Sequence, residues 1–158
     1  MAHRISPLDT INRKLLLELQ RNARQPYREL ARKVGLSLPA TVERIRRLED
    51  LGILRGYGAR IDVTLLGYPI TALLEITTTP NRYPQVLDYA RNTPEIRECY
   101  FVTGDASFVA KVVARSISHL QELIEQAGRF GSTRTSVVLS TPILKEEFDP
   151  KEPGESEA

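Results

Sequence analysis

The chain has a single cysteine, two histidines, one methionine and no tryptophan. Cys99 alone forms no intrachain disulfide, and without a Cys/His cluster at ligand spacing there is no sign of a structural zinc site. Cys99 and His119 are the residues that invite a catalytic reading, but no motif joins them. Cys99 falls on an expected strand, where packing is its natural role. No apolar run approaches the roughly 20 residues that a membrane-spanning helix needs. Met1-Ala2-His3-Arg4 is not followed by a secretory apolar core, and no lipidation signal is present. The expectation is a soluble, cytoplasmic, non-enzymatic protein without metal or cofactor, and without a membrane partner.

The overall charge of +2 conceals segregation. Residues 1–60 hold 13 Lys+Arg against 6 Asp+Glu, whereas residues 61–158 hold 9 against 14. A field positive at one end attracts a polyanion to that end alone, which points to nucleic acid.

The positive half contains a helix-turn-helix pattern. Leu8, Ile11, Leu15, Leu16 and Leu19 mark a first amphipathic helix over 8–22, with Ile5, Leu8 and Leu15 helping to close a small core. Leu30, Ala31 and Val34 mark a second, which Gly35 ends by taking the left-handed conformation. Ser37 is the expected N-cap of a third helix starting at Leu38, with Pro39 tolerated in its first turn. Val42, Ile45 and Leu48 form the expected inward stripe, which leaves Ala40, Thr41, Arg44 and Arg47 outward or sideways. Such a helix suits the major groove of double-stranded DNA. Ser37 and the first-turn amides would meet a phosphate. Leu38, Pro39, Ala40, Thr41 and Arg44 would reach base edges, Arg44 pairing with guanine N7 and O6. A surface salt bridge from Arg44 to Glu43 or Glu49 is the competing use. Tyr27, Arg28 and Arg47 are better placed for backbone phosphates, as are Arg55 and Arg60.

Beyond Leu51-Gly52 a glycine-punctuated stretch over 53–64 reads as a linker with strand character. Ile70, Ala72, Leu74 and Ile76 then alternate as a strand, and Tyr83, Val86, Leu87 and Ala90 follow at helical spacing up to Thr93-Pro94. Two strands over 96–102 and 108–114 flank the turn Thr103–Ser107. A helix capped by Ser116 and carrying Ile117, Leu120, Ile124 and Ala127 comes next, then a strand from Thr133 to Leu139. The order βαββαβ gives an α+β fold: a three-helix domain at 1–52, then a ferredoxin-like antiparallel sheet with two helices on one face at 65–144. The uncovered sheet face carries enough apolar residues that burial against a second copy is expected. Residues 145–158 hold six acids, two lysines and two prolines, and are expected to lack order.

Taken together, Leu8-Asp9, the run from Leu30 to Ser37, Val42 to Leu54 with Gly56-Tyr57, and Leu66-Gly67 resemble the Lrp/AsnC family of transcription regulators. The resemblance runs from about Leu8 to Leu144. It implies a sequence-specific regulator responsive to an amino acid or a related small molecule, and homodimers assembling into higher oligomers such as an octamer. It also implies an effector site at the turn Thr103, Gly104, Asp105, Ala106 and Ser107, with Thr133 and Thr135 from another subunit. This chain departs from the family's pattern at Ala106 and Ser107, where many members have an aromatic residue and an Asp; one anchor for a ligand's ammonium group is thereby lost. An effector-independent architectural DNA-binding protein is the alternative. Siroheme decarboxylase subunits also resemble the family, but this chain has Glu98-Cys99-Tyr100 where those have His-Asn-Tyr, and it lacks their Trp.

Overall fold

A computed structural model describes residues 9–149. The expected Ile5 and Leu8 contributions to the first core lie outside the described residues, as does the tail beyond Asp149. The chain divides into two compact units, one holding residues up to Ala59 and from Ile143 onward, the other Arg60–Pro142.

The first unit is built from α1 (Thr10–Arg21), α2 (Tyr27–Val34) and α3 (Leu38–Asp50). Each boundary has a local cause. The Asp9 carboxylate accepts from the Asn12 amide and opens α1. Gly35, at φ 74°, closes α2, and Ser37 caps α3 by accepting from the Ala40 amide. Leu15, Leu19, Leu30, Val34 and Ile45 form the core, with Ile11, Leu36 and Leu54 packed against it. Each fully buried leucine adds about 1.5–3 kcal/mol over an exposed one. The turn between α1 and α2 is held by a buried amide. Gln25 Nε2 donates to the Glu18 carbonyl at 2.8 Å, and Gln25 Oε1 accepts from Lys33 Nζ at 2.9 Å, while Lys33 also pairs with Glu18 at 2.7 Å. Residues 53–63 form no strand, because within one chain they have no neighbour to pair with.

The second unit contains β1 (Ile70–Thr77), α4 (Tyr83–Asn92), β2 (Ile96–Phe101), β3 (Phe108–Ala114), α5 (Ile117–Gly128) and β4 (Ser132–Val137). The expected βαββαβ order holds. The sheet is antiparallel with strand order β2-β3-β1-β4. Ala72, Leu74 and Ile76 of β1 and Phe108, Ala110, Val112 and Ala114 of β3 pack with Val86 of α4 and Leu120, Leu123 and Ala127 of α5. Ser116 caps α5 as expected, accepting from the His119 amide at 3.1 Å. The opposite face of the sheet presents Leu73, Val109 and Tyr100 beside the ion pairs Glu98–Lys111 and Glu75–Arg134, while Val113 is already buried. Gly131 abuts β1 so closely that an added Cβ would lie 2.1 Å from the Thr77 carbonyl oxygen.

Candidate nucleic-acid interface and effector turn

The exposed face of α3 is set by which residues it buries, and these are Thr41, Ile45 and Leu48. The expected stripe of Val42, Ile45 and Leu48 is therefore wrong at one position. Val42 is 40% exposed, whereas Thr41 is completely buried, so Thr41 has no access to a base edge. The physical reason is that Thr41 satisfies its hydroxyl locally, donating to the Ser37 carbonyl at 3.0 Å, which lets its methyl enter the core as a valine would. Reading by apolarity alone selects the neighbouring Val42 instead.

Moving the stripe by one residue changes what faces solvent. Leu38 and Val42, one helical turn apart, form an exposed apolar strip. Pro39, Glu43, Arg46 and Asp50 lie opposite the buried stripe, and all four are exposed. Arg47 is exposed and Ala40 half-buried on one flank. Arg46 was missed in the sequence reading because the stripe was out of phase. Among the described residues, neither Arg46 nor Arg47 is ion-paired.

Arg44 is engaged elsewhere in the unit. Its Nη1 donates to Asp9 Oδ2 at 2.5 Å and to Asn12 Oδ1 at 3.0 Å, which ties the recognition helix to the start of α1. The guanidinium holds the Asp9 carboxyl below its ordinary range, aided by the backbone amides that the carboxylate caps. The salt bridge considered from sequence thus exists, with Asp9 in place of Glu43 or Glu49.

Tyr27 and Arg28, in the first turn of α2, are both exposed. Tyr57 donates to Glu49 Oε1 at 2.9 Å. Burial first, then Glu49 and the nearby Tyr27, drive its phenol well above the usual range. The start of the linker is in this way pinned to α3. Ser37, as N-cap, is exposed where a phosphate could approach.

In the second unit, the turn Thr103–Ser107 is tied to the end of β1. The Ser107 amide donates to the Ile76 carbonyl at 3.0 Å. Its hydroxyl accepts from the Thr78 amide at 3.1 Å and donates to the Thr78 carbonyl at 3.0 Å. Thr77 Oγ1 donates to the Asp105 carbonyl at 3.1 Å. Gly104 has φ 108°, and Asp105 is exposed. Thr133 and Thr135 are half-buried opposite Ile76 and Leu74, on the helix-covered side of β4. Within the chain, Thr133 and the turn flank the same end of β1, with Thr135 deeper along the sheet.

Cys99 is half-buried, opposite Ala110 on the helix-covered side of the sheet, and burial raises its thiol pKa. His119 accepts from the Arg115 amide and lies 3.5 Å from Glu95. Glu98 and Tyr100 hydrogen-bond to each other on the opposite sheet face.

Family models match both units: an AsnC-type helix-turn-helix domain over residues 8–49, and an Lrp/AsnC ligand binding domain over residues 71–148. The chain is 33% identical over 133 residues to the HTH-type transcriptional regulator LrpC of Bacillus subtilis, covering 84% of this chain and 92% of that one. It is 36% identical over 146 residues to the regulatory protein AsnC of Escherichia coli K12, covering 87% and 94%. The feast or famine regulatory protein of M. tuberculosis complexed with L-methionine superposes with a TM-score of 0.82 at 32% identity, covering 90% of this chain and 99% of that one.

Proposed function

We propose, for a chain that belongs to the Lrp/AsnC family of sequence-specific helix-turn-helix transcriptional regulators, that α3 reads DNA through the face carrying Leu38, Pro39, Ala40, Val42, Arg46 and Arg47. The observation that carries this reading is the burial of Thr41, which turns Arg46 outward. Leu38 and Val42 supply apolar contact for thymine methyls, and Arg46 supplies the bidentate donor for guanine. Arg47, Arg28, Tyr27 and the Ser37 end of α3 hold the backbone phosphates. Arg44 fixes the angle of α3 through Asp9 and Asn12.

The effector is an amino acid, a reading supported by the ligand-binding domain and by the methionine complex of the M. tuberculosis relative. Asp105 is the available carboxylate for an ammonium group, and the amides of the turn are the donors for a carboxylate. Ser107 is occupied in holding the turn to Thr78, so it serves geometry more than ligand contact. The open sheet face with Leu73, Val109 and Tyr100 is covered by a second copy, giving a homodimer and from it higher oligomers. We assign no catalytic role to Cys99 or His119, and no helix of the described residues is long and apolar enough to cross a membrane. A cytoplasmic regulator is the consistent assignment.

Thermal melting of the purified protein against the twenty amino acids, followed by light scattering with any hit, tests the sensing reading. A stabilising ligand whose effect is lost in Asp105→Ala and which changes oligomer mass is expected. No stabilisation at millimolar concentration would leave an effector-independent DNA-binding protein.

A further inference from the structure

The carboxy-terminal segment meets α1 through a set of contacts that neither the core nor the DNA-reading helix requires. Gln20 reads the backbone of Phe148 in both directions, its Nε2 donating to the carbonyl at 3.0 Å and its Oε1 accepting from the amide at 2.8 Å. On either side, Arg21 Nε pairs with Glu147 at 3.0 Å and Arg13 Nη2 with Asp149 at 3.1 Å. Phe148 is 73% exposed, so apolar burial is not what holds the segment. The contact is a backbone clamp flanked by two charge pairs of one polarity, the segment acidic and the helix basic.

That polarity has a consequence for DNA. Arg13 lies four residues after Asp9 and so on the same side of α1, the side from which Asp9 reaches Arg44 of the recognition helix. Asp149 therefore places a carboxylate near the flank of the reading surface. The chain continues with Glu152, Glu155 and Glu157 against Lys151. A tethered acidic peptide at that point is an intramolecular competitor for cations that a duplex would otherwise engage. Each exposed pair is individually weak, so a duplex can displace the segment.

We propose that the outer face of α1, through Arg13, Gln20 and Arg21, is a docking surface for the chain's own acidic carboxy-terminal segment, which there competes with DNA phosphates. This rests on the DNA-binding assignment, and the docking is measurable without DNA.

The test uses the full chain and the full-chain variants E147Q/D149N, R13A/R21A and their combination, each first shown by circular dichroism to melt as the parent does. In fluorescence anisotropy with a labelled random-sequence duplex, E147Q/D149N should bind about three- to tenfold tighter than the parent at low salt, with a steeper salt slope. The difference should close as salt rises, and R13A/R21A should abolish the gain. Hydrogen exchange of residues 143–149 should be slower in the parent than in E147Q/D149N, and should speed up when duplex is added. Equal or weaker binding by E147Q/D149N, or exchange unmoved by saturating duplex, overturns the competition. Equal exchange in parent and variant without DNA overturns the docking itself. Failure of every variant to bind any duplex would instead count against the DNA-binding assignment, while the DNA-free exchange comparison would still decide the docking.

Discussion

Replacing Asp9 by asparagine separates the two roles of that side chain, because asparagine caps a helix about as well as aspartate but carries no charge. Asp9 Oδ1 caps α1 at Asn12, and Oδ2 receives Arg44 at 2.5 Å. The side chains are 50% and 33% exposed, so solvent screens the pair, and its contribution is about 0.5–1 kcal/mol. In a helical unit of this size about 1 kcal/mol shifts the melting temperature by about 4–8 °C. Asp9→Asn and Arg44→Ala should therefore each lower the melting point of the helical unit by a few degrees. The double variant should be little worse than the worse single one, a coupling of about 0.5–1 kcal/mol. The pH dependence follows from the sign of the shift. Asp9 has a depressed folded-state pKa, so the pair's contribution is complete above the unfolded value, about 3.9, and is lost as pH falls through the lower folded value. The gap between parent and Asp9→Asn should thus be constant from neutral pH down to about pH 5 and vanish in stronger acid. In DNA binding, both single variants should weaken cognate and scrambled duplexes by similar factors, since both loosen the angle of α3. Strict additivity of the two substitutions in thermal melts, together with loss of preference at one base pair in Arg44→Ala alone, would refute the reasoning and restore Arg44 as a base reader.

Gly131→Ala should destabilise the second unit by about 2–4 kcal/mol, because its Cβ would meet a backbone oxygen that cannot step aside; an unchanged melting point would count against the close approach. Thr41→Val should cost about 1 kcal/mol or less through the lost bond to Ser37 and leave sequence preference intact, as measured by competition binding. Arg46→Ala should lose about 1–3 kcal/mol at the cognate site and relax one position, whereas Arg47→Ala should weaken all duplexes alike. Cys99 should react with iodoacetamide far more slowly in the native protein than in urea at the same pH, since its thiol is half-buried and its pKa raised; equal rates would contradict that placement.

Periodicity was enough to locate every α-helix and sheet strand of the described residues, because each has a periodic apolar pattern and a recognisable stop. It missed the short 3-10 turns Thr64–Leu66 and Pro80–Arg82 and gave the linker a strand character it lacks. Gly35, Ser37, Thr93-Pro94 and Ser116 act as punctuation whose geometry is local. The errors fall where burial is decided by partners distant in sequence or by a bond that composition hides. Thr41 looks polar in sequence and is core in structure, since its hydroxyl needs no solvent. That one-residue phase error hid Arg46 and placed the exposed Val42 in the core. The bonds of Gln25 to Glu18 and Lys33, and the close approach of Gly131 to β1, join residues that no local pattern links. The docking of Glu147, Phe148 and Asp149 joins residues more than a hundred positions from α1, and no local pattern announces it.

The central claim is that α3 selects DNA by sequence, and selection of bound fragments from a random duplex library by the purified full chain tests it most directly. The account predicts an enriched pseudo-palindrome whose half-sites lie about one helical turn apart or a multiple of it, with preference at one position lost in Arg46→Ala. A pool that binds with steep salt dependence but shows no enriched motif, in the parent as in Arg46→Ala, would contradict it.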